Sequence, residues 1–173
     1  GMPSTLDNEK EQEQAALALI EQGKLESAEL IYRSLIKAGT HNPIIYSNLA
    51  ALYGMTGRRE DLVDLLLRAL ELQPNYPEAH NNLGIALKDQ GNQHGALDAF
   101  KRAIQLRPHY PEAHKNLANT LQEQGALDEA IAAFQTALEL QPNLPDAHNN
   151  LGNAFRDQGN LEEAIAAYSR ALE

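Results

Sequence analysis

Small and apolar residues recur along this chain in blocks of about a dozen, punctuated by glycine and proline, and no stretch alternates with the two-residue period of a strand. Placed on a wheel at 100° per residue, the block opening at Pro77 divides into two faces. Ala79, His80, Leu83, Gly84, Ala86 and Leu87 fall on one side, and Glu78, Asn81, Asn82, Ile85, Lys88 and Asp89 on the other. The block opening at Pro111 splits likewise, with Ala113, Leu117, Ala118 and Leu121 against Glu112, Lys115, Asn116, Asn119, Gln122 and Glu123. Both blocks are amphipathic helices.

The punctuation has a fixed period. Gly23, Gly57, Gly91, Gly125 and Gly159 lie 34 residues apart without insertion, as do Pro74, Pro108 and Pro142, and Pro43, Pro77, Pro111 and Pro145. Proline at the first position of a helix loses nothing by its missing N–H, so it opens one. The glycine about fourteen residues later ends that helix in a left-handed conformation. A second helix, for example Gly95 to Leu106, stops before the next proline. The units are therefore helix–turn–helix pairs over 9–42, 43–76, 77–110, 111–144 and an incomplete 145–173, ten helices in all. Residues 1–8 are expected to be a tail in which Gly1, before Met2, is an expression scar.

One unit has too little apolar surface to fold alone, so neighbours must stack. Gly84, Ala118 and Gly152, with Ala96, Ala130 and Ala164, allow close approach, and Phe100, Phe134 and Tyr168 fill the gaps. The chain reaches Glu173 inside its fifth unit with no polar capping helix after it, which predicts a fragment of a longer protein. Ile165, Tyr168 and Leu172 should then leave an apolar patch that supports a weak homodimer.

Composition narrows the functional classes. The chain is 43% hydrophobic but only 5% aromatic, a bias to Ala and Leu that favours helices. A net charge of −10 argues against nucleic acid and against an anionic membrane surface. No apolar run approaches the ~18 residues of a membrane span. Absence of cysteine excludes a disulfide frame and a thiolate zinc site, and a cytoplasmic protein is expected.

The residues Leu83-Gly84, Ala96, Phe100 and Pro108, with Leu117-Ala118, Ala130, Phe134, Pro142 and Leu151-Gly152, Ala164, Tyr168, resemble the tetratricopeptide repeat family over Glu9 to Glu173. His80, His114 and His148 stand where that family has Trp, Leu62 where it has a small residue, and Ala15-Ala16 and Thr40 depart from it in the first unit. The resemblance implies an all-α, right-handed superhelical solenoid that holds a protein or extended peptide on its concave side. That side would carry Asn48, Asn81, Asn82, Lys88, Lys115, Asn116, Asn119, Asn149, Asn150, Asn153 and Arg156.

Within that set Asn48, Asn82, Asn116 and Asn150 form a ladder with the 34-residue period. An amide both donates and accepts, so it can grip a peptide unit without reading its side chain, or simply satisfy local backbone. The ladder is similar to the repeat arm of O-linked N-acetylglucosamine transferases. A substrate-recruiting arm of a larger enzyme, its catalytic part outside this chain, is the alternative to a free-standing scaffold. Lys115, Asn119 and Asn150 resemble part of a carboxylate clamp, without the further Lys and Arg the full clamp needs.

No catalytic residues, metal site or cofactor are assigned. His80, His114 and His148 recur on helices about 10 Å apart, too far to share one zinc held at ~2 Å, so packing is expected of them. No phosphate loop, nucleophile elbow or Cys–His pair is present.

Overall fold

The structure, a computed structural model, describes residues 5–173, with side chains from Asn8 onward. Among the described residues the punctuation becomes ten α-helices and no strand: α1 (Thr5–Glu21), α2 (Leu25–Lys37), α3 (Pro43–Thr56), α4 (Leu62–Leu72), α5 (Pro77–Asp89), α6 (Gln93–Leu106), α7 (Pro111–Glu123), α8 (Leu127–Leu140), α9 (Ala147–Gln158) and α10 (Leu161–Ala171). The chain is an all-α helical repeat solenoid. Pro43, Pro77 and Pro111 occupy first turns. Asn42 accepts from the Ile44 N–H at 3.0 Å, and Asn92 from the Gly95 N–H at 2.9 Å, satisfying donors that a helix start leaves open. Gly159 closes α9 at φ 89°, where a side chain would be strained.

Three helix starts differ from the pattern. α1 begins at Thr5, so the expected tail 1–8 is partly helical. Neither Pro nor Gly stands between Pro3 and Gly23 to stop the helix from extending. α4 begins at Leu62, three residues later than its counterparts α2, α6, α8 and α10. Arg58 stands where Asn92 caps α6, and a guanidinium has no acceptor for a helix N–H, so the α4 start has no side-chain cap and the Arg58 donors go to Glu29. α9 begins at Ala147 and not at Pro145. Leu144 is buried, and Asp146 takes the left-handed conformation, φ 63°, that Asp tolerates better than most residues.

The chain forms two compact units divided after Asn75. In the first, α1 to α4 pack in sequence order. Tyr32 of α2 is fully buried, and Asn48 of α3 donates to its hydroxyl at 3.4 Å. An ionic latch joins the first repeat to the second. Arg58 donates through both terminal nitrogens to Glu29, at 2.7 and 2.6 Å, and Arg33 Nε donates to the same carboxylate at 2.8 Å. Both guanidiniums lie over the Tyr53 ring, 4.3 and 5.6 Å from its centroid. Glu29 is only 12% exposed at its side chain. The Arg58 hydrogen bonds, helped by Arg33, outweigh burial and hold its pKa at about 2.

In the second unit α6 and α8 each pack on their own first helix and on the next one, and α10 packs on α9. Phe100 of α6 and Phe134 of α8 are fully buried. Such side chains contribute roughly 1.5–3 kcal/mol each on burial. They need small residues opposite. A Cβ on Gly84 would lie 2.5 Å from the Phe100 ring, and one on Gly152 would lie 2.6 Å from Tyr168. The fourth repeat has Ala118 in a cluster with Phe134, both fully buried, so one methyl can be housed after adjustment.

Gly84→Ala is expected to stay within about 1 kcal/mol of the parent, because the gain in helix propensity offsets a shift of the ring. Gly84→Leu should cost about 1–3 kcal/mol or more by overpacking. Urea unfolding followed by circular dichroism reads both, and equal stability of the two variants would show that this close approach is not needed.

The latch gives a pH dependence of definite sign. A carboxylate held below its ordinary 4.5 stabilises the fold above that pH and loses its contribution as pH falls from 4.5 towards 2. Glu29→Gln should therefore cost about 1–2 kcal/mol at neutral pH, since it replaces charge-assisted bonds to partly exposed arginines. Parent and variant stabilities, measured from pH 7 down to pH 2, should converge, and a constant gap would contradict the assignment.

Candidate functional site

Polar residues of α5, α7 and α9 form the candidate face of the second unit. Each first helix turns its apolar side to the second helices, which leaves the opposite side for Asn, Lys and acidic residues. Asn82, Asn116, Asn119, Asn150 and Asn153 are half-buried, as are Lys88 and Lys115, while Asn149 and Arg156 are exposed.

Two amide bridges cross between repeats. Asn116 Nδ2 donates to Asn81 Oδ1 at 3.0 Å, and Asn150 Nδ2 donates to Asn119 Oδ1 at 3.0 Å. The acceptor sits at a different position in each pair because Lys115 replaces an Asn in the fourth repeat, and Ile85 replaces one in the third. Asn153 Oδ1 accepts from the Tyr168 hydroxyl at 2.5 Å. The ladder is thus partly consumed by packing.

Asn81 needs correction. It was expected on the open face, yet it is 5% exposed beneath the next repeat, with its oxygen engaged by Asn116. A wheel drawn for one helix does not register the neighbour that covers its border. Asn48 belongs to the first unit, where its amide supports Tyr32. Tyr110, which the sequence pattern did not single out, lies half-buried beside this face. Burial, with Glu78 adding to it, pushes its phenol pKa up. Its periodic place just before Pro111, matching Tyr76 before Pro77, was the available signal.

The charges are largely paired. Lys88 meets Glu123 at 3.1 Å, Lys115 meets Glu112 at 3.2 Å and Arg156 meets Asp157 at 3.3 Å. Arg107 reaches Glu78 at 2.5 Å and lies over the Tyr110 ring, 5.1 Å from its centroid. Burial pulls the Glu78 carboxyl up, but the hydrogen bonds from Arg107 and the backbone leave it lowered overall. The lysine of the clamp-like trio is turned to Glu112, and its two asparagines are bonded to each other.

The periodic histidines act on the turns between repeats. His114 Nε2 lies 3.0 Å from the Pro108 carbonyl, and His148 Nε2 lies 2.8 Å from that of Pro142. A carbonyl only accepts, so Nε2 carries the proton and donates in each. Among the described residues, no three His, Cys, Asp or Glu side chains gather where a metal could be held. No described helix is long and apolar enough to cross a membrane.

Family models for the tetratricopeptide repeat match residues 115–173, and TPR repeat models match 63–91 and 86–125. No curated protein matches the chain. Among solved structures, a crystal structure of MamA is 26% identical, with 91% of this chain and 92% of that one covered at a TM-score of 0.83. YrrB, described as a TPR protein with an unusual peptide-binding site, is 24% identical over 93% of this chain and 83% of its own, at 0.78. PilF of Pseudomonas aeruginosa shares the fold at 18% identity over 96% and 76%, at 0.84. With the repeat models spanning most of the chain from residue 63 onward, and the helix pairs in place, the chain belongs to the tetratricopeptide repeat family and is a scaffold for protein interaction.

Proposed function

We propose that the polar face of α5, α7 and α9 holds an extended peptide segment of a partner protein, in the cytoplasm, mainly through backbone hydrogen bonds. The observation that carries this is the state of Asn116 and Asn150. Each spends one N–H on the preceding repeat and keeps a second N–H and an oxygen. The bridge fixes the orientation of the amide, so little freedom is lost when a ligand arrives. Neighbouring first helices lie roughly 10 Å apart, and an extended chain rises ~3.3 Å per residue. Asn82, Asn116 and Asn150 therefore meet about every third residue of a ligand. The peptide-binding description of YrrB, which has the same fold, supports this function.

Charge sets the preference. Glu78, Asp89, Glu112, Glu123, Asp146 and Asp157 stand against Lys88, Lys115 and Arg156 along this face, which favours neutral or basic ligands.

The test uses two fluorescein-labelled libraries of nine-residue peptides, one enriched in Lys and one in Glu, titrated by anisotropy. The basic library should bind more tightly. The double change Asn116→Ala and Asn150→Ala should lower that affinity about tenfold, at ~0.5–1.5 kcal/mol per lost bond, with the helical spectrum unchanged. Equal binding of both libraries, or an intact fold with unaltered affinity, would show that the ligand sits elsewhere.

A further inference from the structure

The second repeat differs from the three that follow it in the face its first helix presents. Among the ten described helices, α3 alone carries no Asp, Glu, Lys or Arg. At two positions where α5, α7 and α9 place acids it has apolar residues. Ile44 stands against Glu78, Glu112 and Asp146, and Met55 against Asp89, Glu123 and Asp157. At a third position Gly54 stands against Lys88, Gln122 and Arg156. Ile44 is 43% exposed and Met55 64%, and Ala51 and Gly54 between them are exposed too. At 100° per residue Ile44, Asn48, Ala51 and Met55 fall within about 60° of one another, so they form one strip. Stacking does not cover this strip. In α7, which has a repeat packed on either side, Glu112 and Glu123 at the same positions keep 49% and 48% of their side chains exposed.

Gly54 borders the strip, and nothing inside the fold requires glycine there. Its backbone is not left-handed, and a Cβ on it would meet nothing within 4 Å, whereas Gly84 and Gly152 are each pressed on a ring. Glycine inside a helix costs stability relative to alanine. With neither strain nor crowding to require it, what Gly54 provides is bare backbone open to close approach from outside. Asn48, in the middle of the strip, spends one N–H on Tyr32 and keeps a second N–H and its oxygen. A helix laid on the strip has no free backbone group for that amide, because its own ladder consumes them. An extended segment offers an N–H and a C=O at each residue. Charge restricts the side chains of such a segment. A charged group seated between Ile44 and Met55 would lose water and meet no opposite charge, since Arg58, past the end of the helix, is held by Glu29.

We propose that this strip of α3 binds an uncharged, apolar segment of a partner protein in extended form, with Asn48 bonded to its backbone. From Ile44 to Met55 the helix rises about 16 Å, at ~1.5 Å per residue. About five residues of extended chain span that length at ~3.3 Å each. Alternate side chains of the segment then lie on Ile44, Ala51 and Met55, and the flexible thioether of Met55 adapts to their shapes. The strip lies wholly within the first unit and acts independently of the polar face of α5, α7 and α9, whose acids favour basic ligands.

The experiment titrates the nitrogen-15-labelled chain with two seven-residue peptides, capped at both ends, that carry Leu or Lys at three alternate positions and Ser between. The Leu peptide should shift the Asn48 side-chain and Gly54 backbone amide signals, and the Lys peptide should leave both in place. Met55→Glu, which restores the acid of the later repeats at an exposed site, should weaken binding of the Leu peptide about tenfold or more. Gly54→Gln, the residue α7 carries at that position, should weaken it too while the thermal midpoint stays level or rises, a pairing that a merely structural glycine would not give. Asn116→Ala with Asn150→Ala should leave this affinity unchanged, so the strip and the polar face fail separately. A Leu peptide that shifts nothing on α3, equal binding of the Lys peptide, or parental affinity in Met55→Glu overturns the proposal. So does self-association of the parent, seen by sedimentation and lost in Met55→Glu, which would show that a second copy covers the strip.

Discussion

Close approach of paired helices is the constraint on which the rest of this structure depends. A helix–turn–helix of about thirty residues buries too little apolar surface to hold itself together, so its two helices must fit ring into gap within the unit before the pair can stack on its neighbours. Gly84 faces Phe100 and Gly152 faces Tyr168 so closely that a Cβ on either could be housed only if the ring shifted. Ala118 beside Phe134 shows that the gap has a tolerance of about one methyl. Once the helices are this close, the polar side chains at their borders lose contact with water, and their hydrogen bonds must be found within the stack.

That requirement explains the amide bridges better than selection for a ligand alone. A buried Asn81 without Asn116 would leave its oxygen unsatisfied, at a cost of about 1–3 kcal/mol. Packing and binding are nonetheless compatible here. An amide has more hydrogen-bonding capacity than one bridge consumes, and the bridge fixes where the remaining capacity points. The carboxylate clamp suggested by Lys115, Asn119 and Asn150 fares worse, because its only cation faces Glu112 and its two amides face each other.

What was legible in the sequence was whatever repeats. Prolines that open helices and glycines that close them act through the local backbone, so their 34-residue spacing gave helix number, type and order without reference to contacts. The misjudged features depend on neighbours. At α4 the position from which Asn92 and Asn160 cap α6 and α10 holds Arg58, whose guanidinium can only donate and goes to Glu29, 29 residues away in sequence. The late start of α9 follows from Leu144, which is drawn into the core where Tyr76 and Tyr110 are only half-buried. Burial of Asn81 belongs to the same class. A wheel divides a helix by angle, whereas a solenoid covers it from two sides.

A repeat protein also separates roles more cleanly than a globular one. Residues at equivalent positions share a backbone setting, so a difference between them isolates one cause. The second helices show this well. Leu97 and Ile131 are covered where Ile165 is not, although sequence and local structure are nearly the same, so the difference lies in what stands beyond the helix and not in the helix itself. The same logic applies to the polar face. Asn82, Asn116 and Asn150 share one position, yet the partner each finds is set by the repeat before it. Stability is carried by what is common to the units. What stacking leaves over on this face is the second half of each bridged amide, one N–H and one oxygen on Asn116 and on Asn150.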